Sequence, residues 1–236
     1  MNNQSEQPIR CFITLPFACN YLPEREARNL VIAPSLPLTS ELLGELLNNG
    51  FRRSGQSIYR PNCEDCQACI SLRLASHQFR PDRSQRRNWQ RNSDIEHRAT
   101  VGFSDEQFEL YQRYISARHN NSSMANPTRE EYLSFLTANG IDTRFHEFRL
   151  NGKLIAVAVT DHTPLGLSAV YTFYDPDLEH RGLGIYAILW QLHHAQRLKL
   201  PWIYLGYWIS ACDKMRYKNC FKPCQGYIDH RWQALC

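Results

Sequence analysis

The segment 144–162, RFHEFRLNGKLIAVAVTDH, constrains the fold more than any other part of the chain. Apolar and polar residues alternate on both sides of the dipeptide Asn151-Gly152. That dipeptide suits a type I′ turn, because both central residues of such a turn need positive φ. Alternation with a period of two is typical of a strand with one buried face. The segment therefore predicts an antiparallel β-hairpin.

The residues after the hairpin predict a mixed α/β fold. A strand, LSAVYTFYDP, leads into a glycine-rich turn, HRGLG, and then into a long helix with an apolar face, IYAILWQLHHAQRLKL. A second strand, PWIYLGYW, comes next. The order hairpin, strand, turn, helix, strand is typical of a mixed sheet covered by helices.

Four earlier helices have recognisable ends. A Ser, Thr or Asp before an apolar or basic run predicts an N-cap, and Glu or Gln three residues later completes a capping box. A glycine just after the last turn predicts the C-terminal end. The capping residues are Thr39 or Ser40 with Gly50 at the other end, Asp82, Ser104 with Gln107, and Thr128 with Glu131.

The positive charge of the chain is concentrated in one segment. Five arginines between residues 80 and 91 accompany one acid, Asp82, so the local charge of +4 equals the net charge of all 236 residues. Arg83, Arg86, Arg87 and Arg91 follow helical spacing along one face. We expect that face to point outward and to contact nucleic-acid phosphates. The alternative is a solvated face that only aids solubility.

Cysteines in the first half of the chain have the spacing of metal ligands. Cys63, Cys66 and Cys69 form C-x-x-C-x-x-C, which lets three thiolates converge on one zinc ion or iron–sulfur cluster. Cys19 lies in another loop-like stretch and is the predicted fourth ligand. The alternative is a set of thiols without metal. Spacing leaves four other fourth ligands open: Cys11, Cys212, Cys220 and Cys224.

The sequence predicts a cytoplasmic protein without a membrane anchor. The apolar stretch from Cys11 to Cys19 is interrupted by Pro16 and lacks a signal-peptidase site, so it does not resemble a secretory signal. No apolar run reaches membrane-spanning length. Nine cysteines without a signal are typical of a reducing compartment.

The turn EHRGLG, from Glu179 to Gly184, resembles the pyrophosphate loop of acyl-CoA N-acetyltransferases. Glu179 is the exception, because a carboxylate beside a pyrophosphate would be repelled. This argues against acetyl-CoA as the acyl donor. A plain strand-to-helix connection is the other interpretation of a two-glycine turn.

Five blocks in order resemble the aminoacyl-tRNA-protein transferases, in the short bacterial form that attaches leucine to N-terminal Asp or Glu. The blocks are CNYLPEREARNL, GFRRSGQSIYRPNCEDCQACISLRL, FRPDRSQRRNWQRN, AVAVTDHTPLGLSAVYTFYDPDLEHRGLGIYAILWQ and YLGYWISACDKMRYKNCFKP.

The resemblance implies an acetyltransferase-like (GNAT) mixed sheet with helices in residues 81–236. It also implies a smaller N-terminal subdomain, residues 1–80, that carries the cysteine knuckle. In eukaryotic relatives that transfer arginine, paired cysteines are implicated in an iron–sulfur cluster, and Cys19, Cys66 and Cys69 fall at or near similar positions. Leu22 stands where their first motif has a second cysteine.

The activity implied is transfer of leucine from leucyl-tRNA to acceptor proteins with an N-terminal Asp or Glu, which creates a signal for N-end rule degradation. No cofactor is expected for the transfer, because the tRNA ester is already activated. Three alternatives stay open: an arginyl-tRNA-protein transferase, an acyl-CoA N-acetyltransferase, and a non-enzymatic RNA-binding or metal-sensing module. The first would differ in donor, and the last would bind RNA without aminoacyl transfer.

The chemistry needs little more than positioning. The nucleophile is the acceptor's own α-amine, whose pKa near ~8 leaves part of it neutral at pH 7. If a general base exists, Glu147 on the hairpin and Tyr171 or Tyr204 on the later strands are the predicted catalytic residues.

Selection of an acidic N-terminus needs a cation that pairs with a carboxylate, and an arginine fork is best suited. The predicted substrate-binding residues are Arg52 and Arg53 in GFRRSG and Lys214, Arg216 and Lys218 in DKMRYKNC. Every basic residue in these two segments could equally contact tRNA phosphates.

Overall fold

The computed structural model describes residues 8–118 and 127–235. Its strands are β1 (Cys11–Ile13), β2 (Phe17–Ala18), β3 (Glu26–Ala27), β4 (Asn29–Ile32), β5 (Arg52–Ser54), β6 (Ser57–Pro61), β7 (Ile70–Ala75), β8 (Glu96–Thr100), β9 (Asp142–Leu150), β10 (Lys153–Thr163), β11 (Gly166–Tyr174), β12 (Trp202–Trp208), β13 (Cys224–Ile228) and β14 (Arg231–Ala234). Its α-helices are α1 (Ser40–Asn48), α2 (Arg83–Arg91), α3 (Asp105–Arg118), α4 (Arg129–Leu136), α5 (Leu183–Arg197) and α6 (Asp213–Arg216). Short 3-10 helices cover Pro176–Arg181 and Tyr217–Cys220.

The predicted hairpin is confirmed. Leu150 at the end of β9 pairs with Lys153 at the start of β10. Asn151 and Gly152 have φ values of 51° and 81°, which are the positive values that a type I′ turn requires. Local turn chemistry therefore sets the register of the longest strand pair in the fold.

The large sheet is mixed, as the order of elements predicts. Its eight strands lie in the order β14-β13-β7-β12-β11-β10-β9-β8. The pairing of β11 with β12 is parallel, and the other neighbouring strands of this sheet are antiparallel. Helix α5 connects the two parallel strands, which is the crossover that parallel pairing needs.

The segment before residue 80 forms small sheets of its own and also contributes one strand to the large sheet. It supplies the four-stranded sheet β1-β4-β6-β5, the short β2-β3 pair and α1. It also supplies β7, which lies inside the large sheet between β13 and β12. The division of the chain at residue 80 stays a prediction, although β7 joins the sheet of the later residues.

Helices cover both faces of the large sheet. On one face, Tyr111 of α3 and Tyr132 of α4 pack against Phe145 and Phe173 of the sheet. On the other face, Trp190 of α5 packs against the sheet. Full burial of each such side chain contributes about 1.5–3 kcal/mol, so this core holds the sheet between two helical layers.

Most predicted helix ends are confirmed. Asp82 and Thr128 each form a complete capping box with the side chain three residues later. Thr39 caps α1, and Gly50 follows that helix with a φ of 80°.

The box predicted at Ser104 is confirmed only in its first half. The Gln107 backbone N–H donates to Ser104 Oγ, but the Gln107 side chain turns away and donates to Glu147. None of the helices in the described ranges combines the length and the apolar character that crossing a bilayer requires.

Candidate active site between two diverging strands

The parallel strands β11 and β12 pair over only three residues each. Gly166 to Ser168 of β11 pair with Trp202 to Tyr204 of β12, and the pairing stops there. Beyond that level each strand carries an irregularity: Val170 interrupts the register with β10, and Leu205 interrupts the register with β7. Bulges bend strands and end pairing. The two strands therefore part at the carboxyl end of their parallel contact, where open α/β sheets bind ligands.

Arg52 of β5 reaches into this opening. Its guanidinium donates to the carbonyl oxygens of Val170 at 2.7 Å and, more weakly, of Ala169 and Leu205 at 3.4 Å each. Gly206 permits this approach, since a Cβ there would lie 1.2 Å from Arg52 Nη1. Within the described ranges, no carboxylate forms an ion pair with Arg52. A positive charge whose hydrogen bonds, in the part of the chain that the structure describes, go to carbonyls is thus held at the opening.

Lys218 supplies a second nitrogen to the same opening. Its Nζ donates to the carbonyl oxygens of Leu205 at 2.9 Å and Tyr207 at 2.7 Å on β12. Burial, with a further contribution from the charge of Arg52, lowers the pKa of Lys218 to about 7. At neutral pH this amine is therefore present in both its charged and its neutral form.

Two tyrosines lie near the opening: Tyr171, which follows Val170 on β11, and Tyr217. Tyr171 of β11 packs edge-on against Tyr111 of α3 and Phe135 of α4. Burial raises the pKa of Tyr171, so its hydroxyl stays protonated at neutral pH and can donate a hydrogen bond. Tyr217 is 40% exposed and lies within electrostatic range of Arg52.

The other two predicted catalytic residues lie elsewhere. Tyr204 lines a cavity of about 10 Å³ below the opening, on the side of α1, together with Arg52 and Gly206. Glu147 lies on β9, two strands away from β11. Its carboxylate is 3.0 and 2.9 Å from the guanidinium of Arg149 and accepts from Gln107. Glu147 is thus held by Arg149 and Gln107, and its catalytic role stays a prediction.

Arg53, the neighbour of Arg52, points away from the opening. Its guanidinium forms a bidentate pair with Asp161 of β10, with both N–O distances at 2.5 Å. Both side chains are almost completely buried. Arg53 also donates to the Leu136 carbonyl and to Thr143 Oγ1. Its donors are thus occupied by the protein itself, which leaves Arg52 as the arginine of this pair that faces the opening.

The other predicted substrate-binding residues lie on α6, close to Lys218 in sequence. Lys214 and Arg216 are exposed, and Arg216 forms a surface ion pair of 2.6 Å with Asp213. Exposed pairs of this kind contribute about 0–1 kcal/mol and separate easily.

The predicted cysteine ligands gather in one region. The pKa of Cys69 is raised to about 12, first by burial and then by the nearby thiols of Cys19, Cys63, Cys66 and Cys212. The backbone N–H of Leu22 donates to Cys19 Sγ at 3.5 Å, the kind of contact that supports a metal-bound thiolate. Thiols from several segments therefore lie near Cys69, and the zinc or iron–sulfur site stays a prediction. Tyr21 lies near both Cys69 and Arg52, so this region adjoins the opening.

The basic helix α2 flanks the start of α5. Asn88 donates from Nδ2 to the carbonyl oxygens of Arg181 and Gly182 at 3.0 and 3.1 Å. The predicted outward face is confirmed, because all four of its arginines are exposed: Arg83, Arg86, Arg87 and Arg91. Glu179 is also exposed, in the 3-10 helix that precedes Gly182.

A mixed sheet whose two parallel strands part around a half-buried arginine and lysine is suited to bind an acidic ligand. The chain matches two family patterns: "Arginine-tRNA-protein transferase, N terminus" over residues 17–87 and "Arginine-tRNA-protein transferase, C terminus" over residues 106–228. The chain therefore belongs to the arginine-tRNA-protein transferase family and is an aminoacyltransferase.

Relatives cover almost the full chain. It is 48% identical to the aspartate/glutamate leucyltransferase of Pseudomonas fluorescens (strain Pf0-1) over 228 residues, which are 96% of this chain and 97% of the relative. The enzymes of the same name from Pseudomonas savastanoi pv. phaseolicola and Pseudomonas aeruginosa (strain LESB58) are 47% and 46% identical over the same shares.

Solved structures are more distant. The L-PGS of Bacillus licheniformis aligns with a TM-score of 0.44 and 12% identity, over 60% of this chain and 46% of that chain. The mixed α/β fold class comes from the order and pairing of this chain's own strands and helices.

Proposed function

We propose that this chain transfers leucine from leucyl-tRNA to the N-terminal Asp or Glu of acceptor proteins. The observation that carries the proposal is the opening between β11 and β12, where Arg52 holds a positive charge with no acidic partner among residues 8–118 and 127–235. Relatives that are 46–48% identical over nearly the full chain bear the name aspartate/glutamate leucyltransferase, which favours leucine over arginine as the donor.

The proposed reaction is an aminolysis of the tRNA ester. The acceptor's neutral α-amine attacks the leucyl carbonyl carbon, the new peptide bond forms, and the ester C–O bond breaks with release of the tRNA 3′ hydroxyl. The amine nitrogen must lose one proton, and the leaving oxygen must gain one. Alignment of the two substrates in one cleft can supply about 7–11 kcal/mol of the barrier reduction.

Two side chains at the opening have the protonation states that these steps need. The Tyr171 hydroxyl, protonated at neutral pH, is suited to donate to the developing oxyanion. Lys218, with a pKa lowered to about 7 by burial and by Arg52, is suited to take the amine proton. Tyr204 lines the same small cavity as Arg52, on the α1 side.

Arg52 is the proposed selector of the acidic N-terminus. A carboxylate that enters the opening can replace the weak 3.4 Å contacts to Ala169 and Leu205 with charge-assisted bonds, while the 2.7 Å bond to Val170 holds the guanidinium in place. Lys214 and Arg216 are exposed at the rim, where they are suited to attract the acidic substrates over longer range.

The substitution Arg52→Gln tests this role. Charge-assisted hydrogen bonds contribute about 1.5–3 kcal/mol, so the preference for an Asp-ended over an Ala-ended peptide should fall by roughly 10- to 150-fold. Arg231→Gln is the matched control, because it removes an exposed charge of the same sign on β14, and the preference of this variant should change little. An Arg52→Gln protein that keeps the full preference would remove Arg52 from the selector role.

The outward face of α2 is the proposed tRNA-binding surface. Its four arginines are exposed, and α2 lies beside the start of α5. Helix α5 is the helix that follows the carboxyl end of β11. A tRNA backbone held there would deliver its 3′ end toward the opening. Phosphate contacts of this kind do not depend on base sequence.

The remaining features of the proposal concern metal, fold and cellular setting. Cys19, Cys63, Cys66 and Cys69 form the proposed site for zinc or an iron–sulfur cluster, which would brace the N-terminal segment beside the opening and take no part in the transfer. The parted parallel strands favour an acetyltransferase-like (GNAT) sheet with a separate N-terminal subdomain carrying these cysteines. The proposed setting is the cytoplasm, where the added leucine marks the acceptor for N-end rule degradation.

A further inference from the structure

Three histidines from three different elements meet on the α5 face of the large sheet. His146 lies on β9, His162 on β10 and His194 in the last turn of α5. His146 pairs with Ala158, four residues before His162, so both rings project from the same face. One ring nitrogen of each histidine lies within 4.8 Å of the ring nitrogens of the other two.

Two of these rings have a buried nitrogen without a partner. His146 is 1% exposed, and the Nε2 atoms of His146 and His162 are buried without a hydrogen bond. Leaving a buried polar atom unpaired costs about 1–3 kcal/mol. Packing of aromatic rings alone does not explain why imidazoles occupy these positions, because phenyl rings would pack there without that cost.

A fourth histidine orients the group. His97 of β8 places its Nε2 3.2 Å from Nδ1 of His146, which leaves His146 Nε2 free to act as a ligand. Trp190 stacks on the rings of both His97 and His194, at centroid distances of 4.0 and 4.8 Å. Hydrogen-bonded and stacked partners that fix the orientation of a ring are typical of the residues around metal-bound histidines.

The spacing fits a transition-metal ion after a small movement. A point central to three nitrogens that are at most 4.8 Å apart lies at most about 2.8 Å from each. Tetrahedral Zn–N bonds of about 2.0–2.1 Å place each nitrogen about 1.9 Å from that point, so each ring needs to move by about 0.9 Å or less. His162 and His194 are half-buried, which gives an ion a route from solvent.

We propose that His146, His162 and His194 form a zinc site that fastens the C-terminal end of α5 to β9 and β10, with water in the fourth position. Imidazole ligands favour zinc among the abundant divalent ions, since magnesium and calcium prefer oxygen. The site lies at the far end of α5 from the turn that precedes Leu183. Its role is therefore structural, and it is separate from the cysteines and from the proposed transfer chemistry.

The test compares the zinc content of the full-length protein with that of its variants, all purified without a histidine tag. Wild-type protein equilibrated with zinc should contain one more equivalent than His146→Gln and His194→Gln. His193→Gln is the matched control, because the neighbouring residue is exposed and belongs to a different face of α5. It should retain the wild-type content. His97→Gln should weaken zinc binding by about 10- to 100-fold without abolishing it.

Two further readings do not depend on the folding of any variant. Cobalt added to wild-type protein should give a spectrum with nitrogen and oxygen ligands, in addition to any thiolate-to-metal bands from the cysteines. Zinc should raise the thermal midpoint of wild-type and His193→Gln proteins. Equal zinc content in wild-type, His146→Gln and His194→Gln proteins, or a cobalt spectrum with thiolate bands alone, would overturn the proposal.

Discussion

The buried pair between Arg53 and Asp161 ties β5 to β10 and should be essential to stability. Both side chains are at most 1% exposed, and two N–O contacts of 2.5 Å join them. In Arg53→Met, the Asp161 carboxylate keeps the 2.7 Å bond from Thr143 Oγ1 but loses its countercharge. Removal of one partner from a buried pair costs about 3–5 kcal/mol.

The predicted loss is measured by urea unfolding followed by circular dichroism. For a chain of this length, about 3–5 kcal/mol corresponds to a fall of roughly 6–20 °C in thermal midpoint. The double variant Arg53→Met with Asp161→Leu should be more stable than Arg53→Met alone, because it leaves no unpaired buried charge. A loss below about 1 kcal/mol in the single variant, or strictly additive losses in the double variant, would refute this reasoning.

Activity assays on the same variant separate the two neighbouring arginines. Because the Arg53 donors are occupied inside the protein, the folded fraction of Arg53→Met should keep the preference for Asp-ended over Ala-ended peptides. Loss of that preference at unchanged stability would mean that Arg53 contacts the substrate.

Three further predictions concern pH, tRNA and helix capping. Burial and Arg52 lower the pKa of Lys218 to about 7, so between about pH 7 and 9 the unfolded chain binds a proton that the folded chain has released. The free energy of unfolding of the wild-type protein should therefore rise with pH relative to that of Lys218→Met, by at most ~1.4 kcal/mol per pH unit. Urea titrations that give parallel curves for the two proteins across this pH range would contradict this. Removal of Arg83 and Arg87 together should reduce the slope of log K for tRNA binding against log salt concentration by about 1.4–1.8, while Arg231→Gln on β14 should leave the slope unchanged. An unchanged slope in the double variant would mean that the α2 face is only a solvated surface. Asp82→Ala removes the capping box of α2 and should lower the free energy of unfolding by about 0.5–2 kcal/mol in urea titrations, and an unchanged value would mean that the cap contributes nothing.

Features set by neighbouring residues were predictable from the sequence. The Asn151-Gly152 turn needs only its own dipeptide, and the capping boxes at Asp82 and Thr128 need only four residues each. The hairpin of β13 and β14 was not predicted. Its turn places Asp229 and His230 at positive φ without any glycine, so the usual dipeptide signal is missing.

Features that join distant segments could not be predicted in the same way. Arg52 and Arg53 are neighbours in sequence and have the same side chain. In the fold, Arg52 donates to the carbonyl of Ala169, 117 residues later, whereas Arg53 points away from the opening and pairs with Asp161. The histidine group depends on the register of β9 with β10 and on the crossing of α5. A partial signal was present, because His146 and His162 lie on facing strands of the predicted hairpin with the same alternation.

The central claim is that the opening between β11 and β12 accepts an aminoacyl-tRNA end and an acidic protein N-terminus together. The direct measurement incubates the purified chain with leucyl-tRNA or arginyl-tRNA and with peptides that begin with Asp, Glu or Ala, followed by mass spectrometry. The account predicts that Asp- and Glu-ended peptides gain one leucine residue, with little gain for the Ala-ended peptide or from arginyl-tRNA. Unchanged masses for the Asp- and Glu-ended peptides with leucyl-tRNA would contradict it.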